Sequence, residues 1–118
     1  MAGKRTLVYG VGINDWKDNV EVCGKKIREY VLWKGVMERC FSEKHNTKHP
    51  TYVRTTCDLT WIYMTNFIDD VSKLIGYEQE GWALDKDILV KGNKIYSSET
   101  CCFVPQEINN LLINRFNF

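Results

Sequence analysis

A chain of 118 residues with 16 Lys and Arg against 15 Asp and Glu is one domain by length and nearly neutral in charge. No apolar run approaches the roughly 20 residues that a membrane-spanning helix needs, so a transmembrane class is excluded and no membrane partner is expected. Five cysteines, an odd number at irregular spacing, predict reduced thiols in a cytosolic setting rather than a disulfide frame. The opening MAGKRTLVYG, with few apolar residues before Gly and Asp interrupt, does not read as a secretory signal.

In chain order, Thr6–Val11 is short and β-prone and reads as a strand closed by Gly10 and Gly12. Residues 14–24 are polar and turn-rich, which predicts a loop. Lys26–Ser42 is the first helix, with Tyr30, Trp33, Met37 and Cys40 at spacings of three and four on one face. Gly35 inside it costs about 1 kcal/mol relative to Ala, which predicts close packing against another backbone. His45–Pro50 reads as a loop, and Tyr52–Cys57 as a weak strand. Trp61, Met64, Phe67, Ile68, Val71, Leu74 and Ile75 form one helical stripe closed by Gly76, with Asp58, Thr60 or Thr65 as its cap. Trp82–Val90 and Thr100–Val104 are strand candidates around the Gly92-Asn93 turn. Pro105 then opens a final helix carrying Ile108, Leu111 and Leu112.

Charge is unevenly distributed. From Gly24 to Thr56 the basic residues Lys25, Lys26, Arg28, Lys34, Arg39, Lys44, Lys48 and Arg54 outnumber Glu29, Glu38 and Glu43. From Cys57 to Glu80 the acidic residues Asp58, Asp69, Asp70, Glu78 and Glu80 face only Lys73. A basic block binds phosphate through the contacts it makes, whatever the total charge. It is equally the composition of a solvated helix face. Cys40, His45, His49 and Cys57 hold the donor types of a structural zinc site, but neither cysteine belongs to a Cys-x2-Cys knuckle. Core cysteine is the reading taken, and structural Zn²⁺ is not expected.

The segment from Leu84 to Asn110, LDKDILVKGNKIYSSETCCFVPQEINN, concentrates the remaining chemistry. Asp85 and Asp87 lie two apart on a strand and share a face, so they read either as a cation site or as an exposed carboxylate pair beside Lys86 and Lys91. Asn109 and Asn110 are poor choices for a helix interior unless one of them serves a site.

Taken together, these motifs resemble small phage-encoded proteins related to HNH homing endonucleases. The resemblance runs from Tyr30 to Asn110. It rests on a tryptophan-bearing helix ending in Arg-Cys (Trp33, Met37, Arg39, Cys40) and on Tyr52, Cys57, Trp61 and Phe67. It closes with Leu84, Asp85, Lys86, Asp87, Gly92, Asn93, Tyr96, Ser97, Glu99, Cys101 and Asn109. The resemblance implies an α+β fold in a single domain, with helices packed on short antiparallel strands. Its parts would be an N-terminal strand and loop (1–24), a two-helix region (25–80) and a C-terminal ββα module (81–114).

In such a module one Mg²⁺ or similar cation stabilises charge on a scissile phosphate, and a histidine acts as base. The resemblance places Asp85, Asp87 and Asn109 as metal ligands and Lys86, Asp87 and Asn109 at the catalytic positions, with Thr100 near the residue that orients the base. It implies duplex DNA as partner, held by Lys25, Lys26, Arg28, Lys44, Lys48, Arg54, Lys91 and Lys94, in the cytoplasm of an infected bacterial host. Lys86 where a base should stand points to DNA binding with weak or lost metal-dependent hydrolysis. A short chain without a separate DNA-targeting domain suggests an alternative, a phage effector that binds and inhibits a host protein such as a defence nuclease.

Overall fold

Two buried tryptophans sit where the first long helix meets the segment that follows it, and the other elements are arranged around them. The computed structural model describes residues 7–42, 55–86, 88–89 and 94–116, with side chains as far as Leu111.

Tyr9 (φ 51°) and Gly10 (φ 77°) are both left-handed. Val8 and Gly12 exchange two backbone hydrogen bonds of 2.9 Å around them. The strand expected at Thr6–Val11 is therefore a single bridge about a tight turn, since left-handed residues break an extended run; Thr6 itself lies outside the described residues. Gly12 is held by packing, because a Cβ there would stand 2.9 Å from Trp33 Cζ2. In the expected loop, β1 (Glu21–Val22) and β2 (Lys25–Lys26) form a small antiparallel hairpin. Its turn residues Cys23 (φ 52°) and Gly24 (φ 78°) have the paired positive φ that matches strand twist.

Helix α1 (Arg28–Phe41) buries Trp33, Val36 and Met37 completely, on the face the spacing predicts. It starts two residues later than expected because Lys26 belongs to β2. The close backbone approach expected at Gly35 is not seen among the described residues: the atoms nearest a Cβ there would be those of the Arg39 guanidinium, at 3.4 Å.

The stripe from Trp61 to Ile75 divides in two. A 3₁₀ turn, Leu59–Ile62, is capped by Asp58, whose carboxylate accepts from the Thr60 backbone N–H (2.9 Å) and hydroxyl (2.8 Å). Helix α2 (Met64–Val71) follows after Tyr63. Its capping group comes from a distant part of the chain, since Asp15 Oδ1 accepts from Thr65 N–H at 2.8 Å. Trp61, Met64, Phe67 and Val71 are fully buried, but Ile75 is 76% exposed because the chain leaves the helix at Ser72. Trp33 Nε1–H donates to the Trp61 carbonyl (2.7 Å), and Trp61 Nε1–H donates to Asp70 Oδ2 (2.7 Å).

Strand β3 (Thr56–Cys57) pairs in parallel with β5 (Ile95–Tyr96), aligning Cys57 with Tyr96. Strand β4 (Ala83–Asp85) pairs antiparallel with β6 (Cys102–Val104), aligning Asp85 with Cys102. The expectation of antiparallel strands thus holds for β4–β6 and fails for β3–β5. Helix α3 (Gln106–Phe116) begins directly after Pro105 and packs on β4. One hydrophobic cluster joins Trp33, Trp61 and Phe67 to Leu84, Tyr96, Cys101 and Phe103, so the described elements form a small α+β fold around a shared core. Among the described residues no helix is long and apolar enough to cross a membrane.

Gly76 and Gly81 separate two causes of glycine dependence. Both have positive φ (85° and 77°), but a Cβ at Gly76 would stand 2.7 Å from the Phe103 carbonyl oxygen, whereas nothing lies within 4 Å at Gly81. Gly81→Ala is expected to lose about 1–2 kcal/mol from backbone strain alone. Gly76→Ala adds overpacking and is expected to lose about 1–3 kcal/mol more. Urea unfolding of the two variants checks the difference.

Candidate functional site

The β4–β6 ladder and α3 carry the residues that the sequence singles out. Asp85 ends β4 and is buried, 3% exposed. Its Oδ2 accepts the Ile88 backbone N–H at 2.6 Å, which turns the chain out of the strand. The exposed-carboxylate reading of Asp85 is thereby corrected: this group closes a turn inside the structure. Lys86 follows it, 7% exposed, with Nζ 5.6 Å from the Tyr96 ring centroid. Arg39, from the last turn of α1, lies 5.9 Å from the centroid of the same ring. Tyr96 therefore receives a lysine and an arginine, an arrangement that the negative faces of an aromatic ring favour.

Asn109 lies on the stretch of α3 facing β4. It lines a cavity of about 270 Å³ with Gly35, Arg39, Trp82, Leu84 and Gln106. Its neighbour Asn110 is turned outward and accepts from Gln106 Nε2 at 3.0 Å. Of the paired asparagines, Asn109 is the one directed toward the strands. Carboxylate and amide oxygens such as those of Asp85 and Asn109 suit a hard cation like Mg²⁺, which takes one or two carboxylates and completes its shell with water and substrate phosphate. Asp87 lies outside the described residues. Among those described, no three His, Cys, Asp or Glu side chains converge as a metal group. Thr100, expected near the base-orienting position, bonds instead within its own turn, donating to the Ile95 carbonyl at 2.7 Å.

The basic residues divide by what they contact. Lys25 and Lys26 are exposed on β2, with Lys26 Nζ 3.1 Å from Glu21 Oε1, and Lys94 is exposed beside β5. Arg28 is different. Its guanidinium donates to the carbonyls of Tyr77 (2.6 Å), Gln79 (3.4 Å) and Trp82 (3.4 Å). It also lies 5.1 Å from the Tyr77 and 4.6 Å from the Phe103 ring centroids. These contacts serve the fold, tying α1 to the loop that leads into β4. Next to it, Tyr77 donates its hydroxyl to Glu29, and that hydrogen bond, with burial second, raises the Tyr77 pKa above the usual tyrosine value. Lys44, Lys48, Arg54 and Lys91 lie outside the described residues, as do His45 and His49.

Known families, curated proteins and solved structures offer no counterpart to this chain.

The cysteines are arranged in a way that their spacing does not reveal. Cys40, at the end of α1, is hydrogen-bonded through its side chain to Cys57 of β3. Donation to Cys57, then burial, pushes the Cys40 pKa up, and acceptance of that bond draws the Cys57 pKa down. Burial pushes the Cys101 thiol up to about 11 and also raises Cys102. The other residues missed were Arg39 and Tyr96. Arg39 was visible as one of eight charges in a basic block and as part of a motif, and Tyr96 only as part of a motif. Their meeting depends on the parallel β3–β5 pairing, which leaves no mark in local periodicity.

Arg28 provides a test of its structural role. Arg28→Lys keeps the charge but loses the planar fork. It is expected to cost about 1 kcal/mol in urea unfolding, because the part-buried carbonyls of Tyr77 and Trp82 lose well-placed donors.

Proposed function

We propose that this chain is a DNA-binding protein built on an HNH-like ββα unit, in which metal-dependent phosphodiester hydrolysis is weak or lost. The observation that carries this reading is the order of elements at the C-terminal end. An antiparallel pair, β4 and β6, is followed at once by α3 packed on β4, with Asp85 at the end of the first strand and Asn109 on the helix face that meets Ala83 and Leu84 of that strand. A divalent cation bound there would stabilise negative charge on a phosphate. The chain's own contribution would be the Asp85 carboxylate and Asn109 amide as ligands, with Asp87 as the third candidate.

Lys86 explains why hydrolysis is expected to be weak. An ammonium group has three donors and no lone pair with which to take a proton from water. Lys86 is also packed over Tyr96, which fixes it as part of the scaffold. A cation beside Asp85 is better suited to holding a phosphate than to activating a nucleophile. The exposed Lys25, Lys26 and Lys94, with Lys44, Lys48, Arg54 and Lys91, supply further phosphate contacts.

A second reading, a phage effector that binds a host protein, draws support from α3, where Ile108 and Leu111 stand 38% and 63% exposed. Outward apolar residues on a helix suit a protein partner.

Fluorescence anisotropy with duplex DNA at several salt concentrations tests the first reading. Binding is expected to weaken steeply with salt, and the pair Lys25→Ala, Lys26→Ala to reduce the slope by about 1–2. Plasmid nicking in Mg²⁺ or Mn²⁺ is expected to be slow or absent, and whatever remains to disappear in Asp85→Ala and Asn109→Ala. Absent or salt-insensitive binding together with no nicking overturns the proposal. A stoichiometric protein captured from bacterial lysate without nucleic acid would then favour the second reading.

A further inference from the structure

We infer that Cys40 and Cys57 form a dithiol modification site, in which a hydroperoxide converts the two thiols to a reversible disulfide linking α1 to β3. The argument begins with their meeting. Helix α1 packs on β3, Cys40 lies in the last turn of that helix, and Cys57 stands 6% exposed within the core cluster against which Cys40 packs. The two thiols are neighbours close enough to interact, and a bridge would draw them to the S–S distance of about 2.05 Å. Cys40 is only partly buried, which leaves a small oxidant a route to the pair.

The surroundings favour the chemistry. Cys57 is aligned with Tyr96 across the parallel pair, and Tyr96 carries Arg39 and Lys86 near its ring. While Cys40 donates to Cys57, that bond and burial keep it a thiol; both cations act in the opposite, weaker sense and favour the Cys40 thiolate once its proton has left. The remaining cysteines differ. Cys23 is exposed on a hairpin turn, while Cys101 and Cys102 are adjacent on the chain and buried.

The reaction balances without a metal. The Cys57 thiolate sulfur attacks one peroxide oxygen, the O–O bond breaks, and the departing hydroxide takes the Cys40 proton to leave as water. Cys57 is then a sulfenic acid and Cys40 a thiolate. The Cys40 sulfur attacks the Cys57 sulfur, the S–O bond breaks, and the second hydroxide leaves as water after taking a proton from solvent. Two thiol sulfurs are oxidised and one hydrogen peroxide is reduced to two waters; an organic hydroperoxide would give one alcohol and one water. The bridge closes a loop through residues 41–56.

The test treats the reduced, full-length, folded protein with hydrogen peroxide, removes the oxidant, denatures, blocks free thiols with N-ethylmaleimide and maps the peptides by mass spectrometry. The expected product is a cross-linked peptide pair joining Cys40 and Cys57 that dithiothreitol separates, with Cys23, Cys101 and Cys102 recovered alkylated. The oxidised protein is expected to melt at higher temperature than the reduced form, since the bridge constrains the unfolded chain. Cys40→Ala is expected to yield no bridge and a Cys57 sulfenic acid trapped by dimedone. Recovery of both Cys40 and Cys57 as alkylated thiols, at a peroxide exposure that fully oxidises free glutathione, overturns the inference. So does a dominant bridge between any other pair, or a Cys40–Cys57 bridge that forms only after denaturation.

Discussion

The hydrogen bond from the Trp33 indole to the Trp61 carbonyl is the contact on which the surrounding structure depends. It answers a break in the helix. Between the 3₁₀ turn and α2 the chain straightens at Tyr63, so backbone groups on either side lose helical partners. Each of four is supplied from outside. The Trp61 carbonyl takes Trp33 Nε1–H, and the Ile62 carbonyl takes Ile13 N–H at 2.6 Å. Met64 N–H finds the Ile13 carbonyl at 3.0 Å, and Thr65 N–H finds Asp15. A buried group left without a partner would cost about 1–3 kcal/mol. The break is therefore stable only while α1 and the segment 13–15 are in place, and those elements are in turn held by it. Trp61 extends the chain of contacts by donating to Asp70, at the far end of α2.

From that junction the positions of the C-terminal elements follow. Asp58 N–H bonds to the Tyr96 carbonyl at 2.8 Å directly before the 3₁₀ turn, so the anchored turn also sets the register of β3 against β5. That register brings Tyr96 to Cys57 and so to the end of α1, where Arg39 and Cys40 project. On the other side, Phe103 N–H bonds to the Ile75 carbonyl at 2.8 Å, which seats β6 on the turn after α2. Gly76 allows the close approach. Arg28 completes the arrangement by tying the start of α1 to the loop before β4.

Local signals made part of this legible. The spacing of Trp33 and Met37 located α1 and its buried face, Pro105 located the start of α3, and Asp58 served as a cap, although of a 3₁₀ turn. The single stripe from Trp61 to Ile75 misled because a helical period survives a one-residue break when both halves face one core. Its C-terminal end failed because apolar content does not show where a helix stops. Gly35 misled for another reason: a helix glycine can stand beside a flexible side chain as readily as beside a backbone. The parallel pairing of β3 and β5, two residues long on each side, had no counterpart in the sequence. Neither did the bonds from Ile13 and Asp15, which join residues about fifty positions apart. In the candidate site, the sequence order singled out Asp85 and Asn109. It did not reveal that Asp85 is buried and already accepts a backbone donor.

That burial bears on what the site can do. An ionised carboxylate removed from water needs compensation, and a neighbouring cation with hydrogen-bond donors provides it. Asp85 has the Ile88 N–H as a donor and Lys86 next to it in the chain. A neutral imidazole at position 86 would supply a base but would remove a positive charge from beside a buried carboxylate. The same lysine lies over Tyr96 and acts on Cys40, so its charge serves several neighbours at once. Replacing Lys86 is therefore expected to disturb Asp85, Tyr96 and the thiol pair together, so the lysine is tied to the packing around it as much as to any ligand.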